Sequence, residues 1–401
     1  MPDNVYRYWK AIALLLVLFI LHQQPVAGND MVHRSGMQVV DAAEHPLRFV
    51  GVSTGGWFMW EGWIFGKGLL LTESKIISGI EKLIGKHNTF REAVYDTFLT
   101  DADFSMISAL GFNSVRIPFN HRLLEDDENP YVYKADGWRR LDNALDSCER
   151  HNLYAFLDLH AVPGGQSQVM VSDPDSRQEL IWNSRENQKR TVELWKAIAA
   201  RYRSRRIVAG YDLINEPLLK HGEDLVRIYE RIIAAVRSVD PDHMIILEGG
   251  KMATDFSMFD RALDPNQIYS FHMYSWFGDD RVQRLNRYQA IAMKQQIPFW
   301  CGEFGENNYP MIDSTVALFE KSPWIVGWSF WTWKRAQSKS PGLAVYDAPP
   351  GWMKTLEWII FPLRARPSRA AVEESINQFL QATKLQNCQV DRRMAGILVR
   401  H

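Results

Sequence analysis

The sequence predicts a single (β/α)8 barrel of the α/β class, and three observations predict it. Eight short apolar runs alternate with segments of helical periodicity along the chain. The runs are continuously apolar, as in strands of a parallel sheet covered on both faces. No linker rich in Pro, Gly or Ser divides the 401 residues, a length that a barrel with extended loops reaches as one domain. The alternative, an open doubly wound sheet, wants a GxGxxG phosphate loop after its first strand, and residues 51–57 read GVSTGGW.

The expected strands are Leu47–Val52, Asn113–Pro118, Tyr154–His160, Gly210–Pro217, Met244–Gly249, Ile268–Tyr274, Pro298–Gly305 and Val326–Trp333. Helical patterns fill 100–110, 137–152, 184–204, 223–239, 280–296, 315–321 and 368–384, the first with Thr100 or Asp101 as N-cap. Two connections are long, Ser53–Thr100 and Lys334–Pro367. Both follow strands, so both are expected at the C-terminal mouth, where barrel enzymes keep their sites.

Arg7 and Lys10 precede an apolar run, Ala11–Leu21, followed by small residues at Val26, Ala27 and Gly28. Charge, length and order are those of a secretory signal peptide, and the run is short for a membrane span. Residues 1–28 are therefore expected to be a signal segment and 29–401 the catalytic domain, secreted or periplasmic, monomeric and without a stable membrane span. Cys148, Cys301 and Cys388 form no CxxC pair and read as isolated thiols, with one disulfide left open by export. The net charge of −1 lacks the basic excess of a nucleic-acid binder. The 15 Trp suggest a large core, a binding groove, or both, and flat aromatic faces suit sugar rings.

Polar residues gather where the strands end. Arg116 lies on the second strand and His160 ends the third. Asn215 and Glu216 end the fourth, His272 and Tyr274 the sixth, Glu303 the seventh and Trp331 the eighth. On a barrel these positions converge. Two carboxylates at one mouth, Glu216 and Glu303, suit acid and nucleophilic work on an acetal. HExxH and GxSxG motifs are missing from the sequence, so neither a metal nor a serine nucleophile is expected, and no cofactor. Asp158 and Asp212 lie earlier on their strands and read as structural. Glu248 ends the fifth strand, where facing the mouth is the second reading behind a structural one. Cys301 is expected to be buried and inert.

The ordered set RIP (Arg116), DLH (Asp158–His160), NEP (Asn215–Pro217), HMY (His272–Tyr274), GEFG (Gly302–Gly305) and WTW (Trp331–Trp333) resembles glycoside hydrolase family 5, the cellulase family of the retaining barrel clan. The resemblance spans the mature chain. It implies Glu216 as acid/base, Glu303 as nucleophile and Asn215 as the partner of the sugar 2-hydroxyl. It further implies that Arg116 and Tyr274 hydrogen-bond the nucleophile, that His160 and His272 line the subsite, and that Trp331 is the floor beneath the sugar. Such a pair needs its carboxyl groups ~5–5.5 Å apart, with the charge of Glu303 raising the pKa of Glu216.

The segment GGWFMWEGWI, with Trp57, Trp60, Glu61 and Trp63, is similar to the branches that include β-1,3-glucanases. The loop after the third strand, DLHAVPGGQSQ, departs from the DLHGAPGSQNG of those branches. The expected partner is thus a polysaccharide or oligosaccharide, an endo-β-1,4-glucan first. β-1,3-Glucan, β-mannan and glycolipid are the alternatives, and a non-catalytic carbohydrate-binding barrel ranks last. Trp182, Trp276 and Trp352 are candidate sugar platforms.

Overall fold

Eight parallel strands close on themselves in a computed structural model that describes residues 31–66, 71–174, 180–276 and 278–400. The expected signal segment lies outside the described residues. The strands are β1 (Phe49–Ser53), β2 (Ser114–Asn120), β3 (Tyr154–Ala161), β4 (Val208–Asp212), β5 (Met244–Glu248), β6 (Gln267–Met273), β7 (Phe299–Gly305) and β8 (Ile325–Trp331). Each pairs with the next, and β8 returns to β1 with Gly327 opposite Phe49. That closure needs a glycine. A Cβ at Gly327 would stand 2.0 Å from the Phe49 carbonyl oxygen, and its φ is +149°.

All eight expected strands form, with ends shifted by a few residues. The largest shift has a consequence for the site. β4 stops at Asp212, so Asn215 and Glu216 lie on the segment beyond it rather than on the strand. There the chain turns out of the ladder, and Glu216 takes a left-handed φ of 44°. The backbone stays against its neighbours, with Leu213 N–H bonded to Ile246 O and Asn215 N–H to Leu159 O. Likewise β8 ends at Trp331, not Trp333.

The floor of the barrel is apolar. Phe49, Phe156, Ile246, Ile268 and Trp300 pack there with Val32 and Val39 of an N-terminal hairpin, and Phe156 stacks on Trp300 at 4.3 Å. This plug keeps water from the lower end and leaves the upper mouth to polar side chains.

The outer helices show why periodicity predicts them. In α4 (Ala135–Arg150) the buried residues include Leu141, Ala144, Leu145 and Cys148, spaced to form one face. α6 (Gly222–Arg237) does the same with Leu225, Ile228, Tyr229, Ile232 and Val236. Of the two N-cap options for α3 (Asp101–Ala109) it is Thr100, whose N–H donates to Asp103 at 2.9 Å. α5 (Arg185–Tyr202), α7 (Arg281–Gln295) and α8 (Tyr309–Glu320) complete the ring that follows the later strands.

The two long connections fold against one another. The first holds α1 (Glu73–Ile84) and α2 (Phe90–Thr97), the second α9 (Pro350–Ile360), and α10 (Arg369–Ala382) packs with both. Trp352, expected as a sugar platform, is instead fully buried at this junction. It stacks on Phe379 at 4.4 Å and donates to Phe65 O at 3.0 Å, because an aromatic ring with one polar atom seals such a seam better than any aliphatic. The three cysteines are free thiols. Cys301 is buried, its thiol pushed up by burial and then by Glu303, as suits an inert group. Among the described residues no helix is long and apolar enough to cross a membrane.

A buried ion pair ties the start of the last connection to α3. Lys334 Nζ lies 2.6 Å from Asp103 Oδ1 and also donates to Phe98 O, while Trp333 Nε1 donates to the same carboxylate. Removing one partner leaves the other charge buried and unpaired, so Lys334→Met should lower unfolding free energy by about 3–5 kcal/mol. Urea denaturation checks this; an unchanged midpoint would show that the pair does not hold the junction.

Candidate active site

Arg116 stands fully buried on β2, and its guanidinium is shared among strand ends all around the mouth. Nε donates to Asp212 at 3.0 Å and Nη1 to Glu303 Oε1 at 2.5 Å. Nη2 donates to Asn215 Oδ1 at 2.8 Å and Glu248 Oε1 at 3.0 Å, and lies 3.1 Å from Asp158. Desolvation opposes the charge, but the surrounding carboxylates hold it well above its usual range. Asp158 and Asp212, read from sequence as structural, thus support the site from below. Burial and the neighbouring Glu248 push the Asp212 carboxyl well above the carboxylate range.

Glu303 sits near the end of β7 between two glycines. A Cβ at Gly302 would meet Ser270 Oγ at 2.3 Å, so glycine lets β7 lie close to β6 just before the carboxylate. Its second oxygen accepts the Tyr274 hydroxyl at 2.9 Å. Both expected partners of Glu303, Arg116 and Tyr274, are therefore in place.

Glu216 bonds differently. Its Oε1 lies 2.7 Å from His272 Nδ1, and its backbone N–H donates to Glu248 Oε2 at 2.6 Å. Burial raises its carboxyl to about 7; His272 opposes this, and Glu303 and Glu248 add to it. The expected cause, the charge of Glu303, contributes, but loss of water is the larger effect. One ligand-type atom each from Glu216, His272 and Glu303 lies within 4.8 Å of the others. At least one oxygen of each carboxyl group thus lies within 4.8 Å of an oxygen of the other. The same three atoms have the spacing of a metal site, but at 2.7 Å the nitrogen and oxygen are hydrogen-bonded partners.

His160 and Trp331 form one unit. Their rings are parallel within 3° at 5.4 Å, and Trp331 is 2% exposed, so one face of the indole is covered by imidazole. A Cβ at Gly55 would meet the Trp331 ring at 2.6 Å, which explains a glycine there in the first connection. His160 Nδ1 lies 2.7 Å from Asp158. Desolvation lowers its pKa, but Asp158 outweighs it and the group rises to about 10. Asn215 gives its oxygen to Arg116, which turns its amide nitrogen toward His160 Nε2 at 3.3 Å.

Several residues that sequence reasoning left without a role also face this region. Gln166, buried in the loop after β3, donates to the carbonyls of His160 and Asn215 at 2.7 Å each and so bridges two strand ends. Glu61 accepts Trp63 Nε1 at 2.6 Å, with an oxygen 3.8 Å from His160 Nε2. Arg335 lies over the Trp63 ring at 4.7 Å, and Glu306 follows β7. Burial, then Glu61, raises the Glu306 carboxyl to about 8. Two of them, and Glu248, carried a signal: Glu61 sits in the aromatic segment GGWFMWEGWI, Glu306 three residues past Glu303, and Glu248 at a strand end; Gln166 and Arg335 carried none. Of the aromatic candidates, Trp276 is 54% exposed and stacks on Tyr274 at 4.5 Å, whereas Trp182 is half-buried with Nε1 bonded to Gln166 O.

Comparison with known proteins agrees with this geometry. The profile of Cellulase (glycosyl hydrolase family 5) matches residues 78–337. The chain is 31% identical to a β-xylosidase of Phanerodontia chrysosporium, over 75% of this chain and 70% of that protein. It is 34% identical to a glucan 1,3-beta-glucosidase of Candida oleophila over 67% of each chain. It is 29% identical to endoglucanase C of Acetivibrio thermocellus over 48% of this chain, and spans 55% of that relative's length. With its closed parallel barrel and a family match across most of its strands, the chain belongs to glycosyl hydrolase family 5 and is a glycoside hydrolase.

Proposed function

We propose that the protein hydrolyses β-glucosidic bonds of a β-glucan with retention of configuration. One observation carries this reading: Glu303 accepts from Arg116 and Tyr274, while Glu216, with an oxygen in the same small cluster, is pushed up to about 7. One group, met by a guanidinium and a phenol, is placed as the nucleophile, and the other is suited to hold a proton near neutrality. In the first step Glu216 gives its proton to the glycosidic oxygen, whose bond to the anomeric carbon breaks as a Glu303 oxygen bonds to that carbon. In the second, Glu216 as carboxylate takes a proton from water, whose oxygen displaces Glu303 and restores both groups. Asn215, its amide nitrogen left unused by Arg116, is placed to donate to a sugar hydroxyl. His160 and His272 line the subsite, and Trp331 bounds it from below. The N-terminal segment 1–28 supports export.

An endo-β-1,4-glucan is the first substrate reading, supported by the departure of the β3 loop from the β-1,3 pattern and by the likeness to endoglucanase C. A second reading, release of terminal residues from β-1,3-glucan, is supported by the longer match to the Candida oleophila protein. Glu61, Glu306 and Arg335 also support it, as a polar wall beside Glu216 and Glu303 with donors and acceptors for the hydroxyls of a chain end. Product profiles from carboxymethylcellulose, laminarin, mannan and glycolipid separate these readings: ladders of oligosaccharide mark endo action, monosaccharide alone marks exo action.

Glu216→Gln should lower turnover of natural glycosides by about 10²–10⁴-fold and spare the glycosylation step with dinitrophenyl leaving groups, which need little protonation. Near-normal hydrolysis of polysaccharide by that variant would remove Glu216 from its role. Since the acid must hold its proton, kcat/KM for unactivated glycosides should fall as pH rises through about 7, and Glu216→Gln should lose this alkaline limb.

Stereochemistry tests the pair together. Double displacement first releases the β-anomer, which proton NMR sees before mutarotation, and a 2-fluoro glycoside should label the peptide carrying Glu303. First appearance of the α-anomer would exclude the retaining mechanism.

Trp276→Ala should raise KM several-fold with little change in thermal stability, because its exposed face adds apolar contact to a bound sugar or aglycone. Unchanged kinetics would leave Trp276 outside the binding cleft. Trp331→Ala should lower both activity and melting temperature, since its ring is also packed.

A further inference from the structure

Glu248 ends β5, is fully buried, and is unused by the mechanism above. Its two oxygens divide their partners. Oε2 accepts the backbone N–H of Glu216 at 2.6 Å. Oε1 accepts Arg116 Nη2 at 3.0 Å and lies 3.2 Å from His272 Nε2. It therefore touches the backbone of the proposed acid, the imidazole that binds that acid's carboxyl, and the guanidinium that binds the proposed nucleophile.

A second observation points the same way. The φ of Glu216 is 44°, a region that a residue with a Cβ occupies only when its surroundings hold it there. The holding contacts come from the end of β5 and the loop after it. Besides the carboxylate on Glu216 N–H, the Met252 N–H donates to Pro217 O at 3.2 Å. Tyr229 OH donates to the Glu248 carbonyl at 3.0 Å and anchors the strand end from the helix layer. A Cβ at Gly249 would stand 2.3 Å from Asp255 O, so the loop turns back tightly right after Glu248. β5 thus brackets the Glu216–Pro217 segment.

We propose that Glu248 is a positioning residue that holds Glu216 in its left-handed backbone conformation and, through His272, aims its carboxyl group at the leaving-group oxygen. This rests on the reading of Glu216 as the acid. The charged acceptor makes a stronger bond to the N–H than a neutral group would. Two acceptor oxygens are also required. In Glu248→Gln the amide must turn its NH2 either toward the Glu216 N–H or toward the Arg116 and His272 donors, and one side is lost either way.

The test uses aryl β-glycosides whose phenols run from dinitrophenol to phenol, and the full-length variant. A misplaced acid matters most when the leaving group needs its proton. Relative to wild type, kcat/KM of Glu248→Gln should fall about ten-fold or more further for the phenyl than for the dinitrophenyl glycoside, a fraction of the 10²–10⁴ that acid catalysis supplies. Labelling of Glu303 by a 2-fluoro dinitrophenyl glycoside should stay within a few-fold of wild type. Glu248→Asp keeps the charge but withdraws both oxygens by one methylene, so it should show the same selective loss, and it serves if the glutamine variant does not fold. Equal loss along the whole series, no loss, or failure of both variants to fold would overturn the proposal and leave Glu248 a structural residue. If the wild type turns over none of the glycosides or labels elsewhere, the reading of Glu216 and Glu303 fails first, and this inference with it.

Discussion

The site depends on one buried cation. The Arg116 guanidinium has no exposure and bonds Asp212, Glu303, Glu248 and Asn215, with Asp158 at ion-pair distance. Removed from water, a charge of this kind persists only when its donors are met by well-placed acceptors. The planar fork meets them in several directions at once, which a lysine ammonium on a flexible stem would not. Carboxyl groups from β3, β4, β5 and β7 are thereby gathered around one guanidinium at and just below the mouth. Without the cation, those carboxyl groups would repel one another or take up protons, and the placement of Glu303 would go with them.

The two proposed catalytic carboxyl groups differ because their neighbours differ. Glu303 receives a guanidinium and a phenol, whereas Glu216 receives an imidazole and stands in a dry environment that raises it to about 7. Similar side chains on one barrel mouth are so given different partners, and loss of water raises that of Glu216. His272 lies between them, with Nδ1 2.7 Å from Glu216 and 3.5 Å from Glu303. Desolvation works against its charge, but Glu248 and Glu303 outweigh that and raise it well above the imidazole range. Its proton is therefore shared in the balance with the carboxyl groups of Glu216 and Glu248 that it meets.

The barrel was legible because its strands are buried on both faces, so hydropathy marks them as continuous runs. The positions of Arg116, Glu303, His272, Tyr274 and Trp331 were legible because a polar or aromatic residue at the end of such a run has one place to go. The end of β4 was not legible. LINEP reads as more strand, and nothing local announces that Glu216 leaves the ladder with φ 44°. The partners that hold it, Glu248 and Met252, are more than thirty residues away. Trp352 misled for a related reason. An aromatic residue in a long loop reads as a sugar platform until the seam it closes, between two connections far apart in sequence, is seen. Gln166 is a further case: its value lies in reaching two carbonyls that only the closed barrel brings together.

The same division explains why the reaction class is easier to read than the substrate. The chemistry resides on strand ends, whose relative positions are set by ladder registers and by glycines such as Gly302 and Gly327 that leave little room for change. The rim around the two carboxyl groups comes from connections, where Glu61, Trp63 and Arg335 meet from opposite ends of the chain and Glu306 and Trp276 extend from single strands. Connections tolerate insertion and substitution because few ladder hydrogen bonds depend on them. The relatives, a β-xylosidase, a glucan 1,3-beta-glucosidase and an endoglucanase, differ in the activities they are named for. In this chain the first and last connections are packed together by Trp352, which donates to Phe65 O, and by Lys334, which donates to Phe98 O. Arg335 of the last connection thus meets Trp63 of the first across a packed seam, so a substitution on one side is felt by the side chains of the other.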